Sequence, residues 1–174
     1  LATMVRALAG GLAAAGVSRG QHVVVVGENR PRLYAAMLAA QSLGAVPVPL
    51  YQDAVAAEFV FPINNAEVAF AVVEDQEQVD KLLEIRTQCP QLTRLWYDDP
   101  RGLRNYSEPG LASVDALIEA GRLHGAAHPD AFDRWPSGIA RLLHGGDPGL
   151  PWPDFAALGL PAHPSFGHGA VSRG

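Results

Sequence analysis

The stretch that decides the fold is QHVVVVGENRPRLYAAMLAAQSLGAVPVPL, residues 21–50. It reads as a strand, a turn, a helix and a second strand. Val23 to Val26 show no alternation of apolar and polar residues, which is typical of a strand that is covered on both faces. We predict that the helix begins at Asn29 and Pro31, because asparagine is a good N-cap and proline fits a first turn. Gly44 ends it.

The second strand of this stretch, residues 45–50, contains Pro47 and Pro49. Alternate residues of a strand direct their N–H groups to the same side. Both missing donors therefore lie on one edge of the strand, and we expect that edge to pair poorly.

The same rhythm continues outward along the chain. Short apolar runs recur about every two dozen residues, and helix-like amphipathic segments separate them. The four runs are HVVVVG (22–27), AVPVPL (45–50), VAFAVVED (68–75) and LTRLWYDD (92–99). This rhythm predicts an α/β fold, a parallel β-α-β layer, with residues 1–134 as one domain.

Two further helices are predicted with defined ends. Asp53 can cap a third helix, and Pro62 should kink or end that helix near Phe61, because an interior proline clashes with the carbonyl four residues back. Asp75 and Gln78 have the spacing of a capping box, which predicts the start of a fourth helix.

Glycines mark the first and last predicted helices. Residues 2–15 read as a helix in which Gly10 and Gly11 cost about 1 kcal/mol each relative to alanine. Ser113 to Ala120 read as a short helix that Gly121 ends.

Composition excludes some classes of function. The 174 residues are 48% hydrophobic, enough for a sizeable core, and the net charge is −5 without a basic patch, which disfavours nucleic-acid binding. The single cysteine, Cys89, excludes an intramolecular disulfide and is interpreted as a small, half-buried hydrophobe. A spanning helix needs about 20 mostly apolar residues, and prolines interrupt the most apolar stretch, 33–50. We expect a cytoplasmic protein, at most peripheral to a membrane.

The character of the sequence changes after Asp133. Residues 136–174 contain six prolines and eight glycines and have no sustained period. We predict that residues 135–174 form a poorly ordered Pro/Gly-rich tail. The abrupt change, in DRWPSGIARLLHGGDPGLPWPDF (133–155), is also what translation of a GC-rich gene in a shifted frame would produce.

Two blocks carry a resemblance to a known family. They are LAGGLAAAGVSRGQHVVVVGENRPRLYAAMLAAQSLGAVPVPLYQD (8–53) and AEVAFAVVEDQEQVDKLLEI (66–85). Together they resemble the N-terminal part of acyl-CoA synthetases, which are AMP-dependent ligases of the adenylate-forming superfamily. PLYQDAVAAEF (49–59) is similar to the long-chain type more than to the acetyl type. The resemblance implies an N-terminal fragment of a long-chain fatty acid–CoA ligase, an enzyme of lipid metabolism.

The resemblance also implies a chemistry. In the complete family member, ATP and a fatty acid give an acyl-adenylate and pyrophosphate, and coenzyme A then displaces AMP, so ATP, Mg and coenzyme A are implied there. The first step needs a Ser/Thr/Gly-rich loop that ends in lysine and holds the triphosphate. This chain has no lysine after Lys81 and no such loop. We therefore assign no catalytic, cofactor-binding or metal-binding residue and expect the fragment alone to be inactive and to self-associate through an exposed apolar face.

A few polar groups resemble functional sites, and each has a simpler explanation. His144-Gly145-Gly146-Asp147 suggests a phosphate cradle but precedes no helix. The histidine pairs have zinc-like spacing without partner ligands. The acidic pairs follow strands, where α/β sites form, but are usually caps and solvated loop charges. The histidine pairs are His124 with His128 and His163 with His168, and the acidic pairs are Glu74-Asp75 and Asp98-Asp99.

Two other interpretations stay open. The chain could be a free-standing α/β domain that binds a partner protein or a small ligand without catalysis. A flavodoxin-like or receiver-like domain is weaker, because a receiver needs a central acidic cluster and a later lysine at a strand end.

Overall fold

The computed structural model describes residues 1–132, and the predicted tail, residues 135–174, lies outside this range. Five strands form one parallel sheet in the order β2-β1-β3-β4-β5. In chain order the elements are α1 (Ala2–Ala14), β1 (His22–Val26), α2 (Pro31–Ser42), β2 (Val46–Leu50), α3 (Ala56–Asn65), β3 (Phe70–Val73), α4 (Gln76–Glu84), β4 (Arg94–Tyr97), β5 (Leu111–Ser113) and α5 (Val114–Ala127). The predicted α/β layer is confirmed. Only β5 was missed, because three half-buried residues form no apolar run.

The two prolines of β2 lie as the sequence predicts. The N–H of Val46 donates to the carbonyl of Gln21 at 2.8 Å and therefore points toward β1. Pro47 and Pro49 alternate with it, so their nitrogens face the outer edge. Among the described residues β2 has a neighbouring strand on one side only. The missing donors cost the sheet no hydrogen bond.

Both faces of the sheet carry a hydrophobic core. Val23 and Val25 pack with α1, α2 and α5, whereas Val24 and Val26 pack with α3 and α4. All four valines are buried, which confirms the prediction made from their lack of alternation. On the first face the rings of Phe70 and Trp96 stack with centroids 6.3 Å apart.

Two of the predicted helix caps are wrong. Helix α2 has Arg30 as its N-cap, and the side-chain oxygen of Asn29 instead accepts a hydrogen bond from the Tyr34 hydroxyl at 2.7 Å. Asp53 lies two residues before the N-cap of α3 and is hydrogen-bonded to Tyr51. In both cases a tyrosine hydroxyl competes with the backbone for the capping oxygen.

The cap of α4 is confirmed. Asp75 is its N-cap, and its carboxylate accepts from the N–H of Gln78 at 3.3 Å. One of the two hydrogen bonds of the predicted capping box is therefore present: the bond that the Gln78 N–H donates to the Asp75 carboxylate.

Helix α3 passes through Pro62 and continues to Asn65, so of the two predicted outcomes, a kink or an end near Phe61, the end is wrong. Phe59 and Ile63 are both buried and lie on either side of the proline. Their burial against the sheet holds the helix together, and less than one turn follows the proline, so the loss of one hydrogen bond is tolerated.

Helix α5 runs through Gly121 to Ala127, and the prediction that this glycine ends it is also wrong. A Cβ on Gly121 would lie 1.7 Å from the carbonyl oxygen of Ala7, and a Cβ on Gly10 would lie 2.6 Å from the carbonyl oxygen of Gly121. A Cβ on Gly11 would lie 2.2 Å from the carbonyl oxygen of Leu117. These glycines let the backbones of α1 and α5 touch where the two helices cross.

Cys89 is fully buried in the core on the α3 and α4 face rather than half-buried as predicted, and this burial raises the pKa of its thiol. Within residues 1–132, no helix combines the length and apolar character needed to cross a membrane.

Candidate functional site at the carboxyl edge of the sheet

The strand order defines one point at which a ligand site is expected. The chain passes from β1 to β2 on one side and later places β3 on the other side of β1. In open parallel sheets, ligands bind outside the carboxyl ends of the strands at such a switch point. Flavodoxin-like proteins share this strand order, so the order alone does not separate that interpretation from a ligase.

The switch point is closed by a buried carboxylate. Glu74 directly follows β3 and is only 7% exposed. Its Oε2 accepts from the backbone N–H of Glu28 at 2.5 Å, and its Oε1 accepts from Nε of Arg30 at 2.6 Å. Gly27 makes room for this arrangement: it has φ +152°, and a Cβ there would lie 2.6 Å from the Cβ of Glu74.

These contacts do not fit a phosphate. In nucleotide-binding α/β folds, the backbone N–H groups after the first strand and the following helix N-terminus hold the anion. Here the N–H of Glu28 already donates its hydrogen bond to the Glu74 carboxylate. Arg30 is bound to the same carboxylate, and this hydrogen bond is the main reason that the pKa of Arg30 is raised. A triphosphate at this place would meet a negative charge. The described residues therefore do not fit ATP at the switch point.

The described residues do not fit a metal ion either. Within residues 1–132, no group of three histidine, cysteine, aspartate or glutamate side chains is placed to hold one. His124 and His128 do lie together near the end of α5, with ring centroids 4.7 Å apart. His163, His168 and the segment His144-Gly145-Gly146-Asp147 lie outside the described residues.

The two acidic pairs of the sequence meet at this edge. The N–H of Asp98 donates to the carbonyl of Val73 at 2.9 Å, and the N–H of Asp99 donates to the carbonyl of Glu74 at 2.7 Å. Asp75 is a cap, as expected, but Glu74 is buried and not the solvated loop charge that the sequence suggested.

The neighbouring carboxyls of Asp98 and Asp99 have opposite pKa shifts. Burial raises the pKa of Asp98, although its Oδ1 lies 2.9 Å from Nη1 of Arg32. Hydrogen bonds from the side chain and backbone of Arg101 lower the pKa of Asp99 to about 2. One carboxyl is therefore shielded from water, and the other is held in its charged form.

The low pKa of Asp99 predicts a pH dependence of stability. Its folded pKa lies below the ordinary value of about 3.9, so the stabilisation by Arg101 is fully present above that value and is lost as the pH falls toward 2. We expect Asp99→Asn to be less stable than the wild-type chain at pH 5, with the difference shrinking as the pH falls below 4. Urea unfolding at several pH values measures this, and a pH-independent difference would contradict it.

Two arginines at this edge were not predicted from the sequence. Arg30 binds Glu74, and Arg32 joins the end of β4 to the start of α5 through ion pairs with Asp98 and Asp115. A signal was available: both arginines follow β1, and the acidic residues follow β3 and β4, at the same edge of a parallel sheet.

The single lysine, Lys81, holds a turn and a helix together. Nζ of Lys81 donates to the carbonyl of Gln52 at 2.5 Å and pairs with Glu77 at 2.8 Å. It ties the turn after β2 to α4.

The fold and this closed edge can be compared with known proteins. A family model described as AMP-binding enzyme matches residues 1–131. The chain belongs to the AMP-binding enzyme family. No curated protein matches it significantly.

Three solved structures share the fold of this family member. Acetoacetyl-CoA synthetase from Streptomyces lividans has 22% identity and a TM-score of 0.58, with 67% of this chain and 19% of that chain covered. Coronafacic acid ligase from Pectobacterium brasiliense has 22% identity and a TM-score of 0.60, with 68% of this chain and 23% of that chain covered. The A-PCP didomain of carboxylic acid reductase from Segniliparus rugosus, solved with AMP, has 21% identity and a TM-score of 0.60, with 70% of this chain and 19% of that chain covered. The chain thus spans about a fifth of the length of these neighbours.

Proposed function

We propose that this chain is an N-terminal portion of an ATP-dependent long-chain fatty acid–CoA ligase. The observation that carries the proposal is the AMP-binding family match over residues 1–131, in a chain that spans about a fifth of its structural neighbours. The long-chain class rests on the resemblance of PLYQDAVAAEF, residues 49–59. In the complete enzyme, ATP and a fatty acid would give an acyl-adenylate, and coenzyme A would then take the acyl group.

In this proposal the described layer is a scaffold and is inactive alone. Its switch point is closed by Glu74, whose carboxylate occupies the N–H and the arginine that an anion would need. Binding of ATP, Mg and coenzyme A is therefore assigned to the parts of the ligase beyond this layer. The layer would support the fatty-acid pocket and pack against the catalytic half, and the location would be cytoplasmic.

Palmitate-dependent exchange of pyrophosphate into ATP tests the proposal, because it reports acyl-adenylate formation directly. We expect no exchange above a blank for the chain alone, since its sequence has no Ser/Thr/Gly-rich loop ending in lysine to stabilise the transferring phosphoryl charge.

A further inference from the structure

The last turn of α5 brings two imidazole rings together. His124 and His128 are four residues apart, and side chains with this spacing are neighbours on one face of a helix. Their ring centroids lie 4.7 Å apart, with an angle of 51° between the ring planes. In the sequence only the spacing of this pair suggests a metal, and the structure adds that the two rings lie side by side.

The distance between the rings is the one that a shared metal ion requires. A zinc ion that lies about 2.1 Å from a ring nitrogen is about 3.2 Å from the centre of that ring. Two imidazoles bound to one ion at an angle of about 90–109° therefore have centres about 4.5–5.2 Å apart. The observed 4.7 Å lies within this range.

The end of a helix is also a favourable place for a cation. His128 is the C-cap of α5, and its N–H donates to the carbonyl of His124 at 2.9 Å, so the backbone holds the two residues in this spacing. The C-terminal end of a helix carries partial negative charge, which stabilises a positive ion there.

An ion with its water ligands can reach both rings. The ring of His128 is exposed and that of His124 is half-buried, and both line a cavity of about 910 Å³ between α1 and α5. Two of the arginines that line the same cavity are already paired with carboxylates, Arg32 with Asp115 and Arg122 with Glu119. Their charges therefore repel a cation less than isolated arginines would.

Two imidazoles define the kind of site. Within residues 1–132 no third histidine, cysteine, aspartate or glutamate is placed to complete it, so the pair is not a closed structural or catalytic centre. Water completes the coordination in such a case, and the ion exchanges with solvent. Imidazole suits Zn²⁺, whereas Mg²⁺ prefers oxygen ligands. We propose that His124 and His128 form an exchangeable Zn²⁺ site at the end of α5. This inference does not depend on the ligase proposal.

The ion would fix the point at which the chain leaves α5. Beyond His128, Ala131 is buried, and the ring of Phe132 lies 4.5 Å from the guanidinium carbon of Arg6 on α1. An ion that joins His128 to His124 holds the turn from which this crossing over α1 starts. Because a ligand that binds only the folded state stabilises it, we expect Zn²⁺ to raise the Tm of the chain.

Calorimetric titration of the untagged 174-residue chain with Zn²⁺ tests the proposal. We expect one ion per chain, and binding that is weaker by at least about tenfold in His124→Gln and in His128→Gln, because each variant loses the advantage of two linked ligands. The matched control is the double variant His163→Gln/His168→Gln, which removes a pair five residues apart and should leave the affinity unchanged. Thermal unfolding without metal verifies that each variant is folded.

Four results would overturn the proposal. They are a wild-type chain that binds no Zn²⁺ below the millimolar range, binding that His124→Gln and His128→Gln leave intact, binding that the control variant weakens equally, and equal binding of Mg²⁺. The rise in Tm gives an independent readout, since it should disappear in His128→Gln and persist in the control variant.

Discussion

Gly121→Ala should lower the free energy of unfolding by about 2 kcal/mol, although alanine is the better helix former. The added Cβ would lie 1.7 Å from the carbonyl oxygen of Ala7 and 2.6 Å from the nitrogen of Gly11. Both are backbone atoms of α1, so no side chain can move aside and the helices must separate. Overpacking costs typically 1–3 kcal/mol, and the contact with immovable backbone places this site at the upper end. A gain in helix propensity of about 1 kcal/mol then leaves a net loss of about 2 kcal/mol.

Gly125→Ala is the matched control, one turn later in the same helix. Nothing lies within 4 Å of a Cβ at that position, so we expect the gain in helix propensity alone, up to about 1 kcal/mol of added stability. Thermal and urea unfolding should therefore shift in opposite directions for the two variants. Equal shifts for both would contradict the close crossing of α1 and α5.

Glu74→Ala should destabilise the chain by about 2 kcal/mol. The substitution removes a buried carboxylate and, with it, the part-buried hydrogen bond from the Glu28 N–H at the turn after β1, and a hydrogen bond to a charged group contributes about 1.5–3 kcal/mol. It also leaves Arg30 without its hydrogen bond, but this side chain is half exposed, so water replaces much of that interaction.

Glu28→Ala is the control for Glu74→Ala. Glu28 pairs with the same arginine at 3.6 Å, but its side chain is largely exposed, so its loss should change stability by no more than about 0.5 kcal/mol. The urea midpoints of the two variants measure the difference. If Glu74→Ala were as stable as Glu28→Ala, Glu74 would not hold the switch point together.

The sequence predicts those features that depend on neighbours along the chain. The unbroken run Val23 to Val26 predicted a doubly covered strand, the alternate prolines of β2 predicted an edge without donors, and Asp75 predicted a helix start. Each depends on residues a few positions apart, so the local pattern contains the information.

Features that depend on distant neighbours were not predicted. Gly121 looks like a helix end in sequence, but its role depends on α1, more than a hundred residues earlier. Pro62 is tolerated because the sheet holds the residues around it. Glu74 was recognised as a strand-end carboxylate, but its burial requires Gly27 to lack a side chain and Arg30 to reach it from the turn between β1 and α2.

Our central proposal is that this AMP-binding family member forms no acyl-adenylate by itself. Exchange of labelled pyrophosphate into ATP, with Mg and palmitate present, tests it most directly, and an intact long-chain ligase in the same buffer is the positive control. We predict that the 174-residue chain gives the same signal with palmitate, without palmitate and without protein. Exchange that requires both the chain and palmitate would contradict the claim.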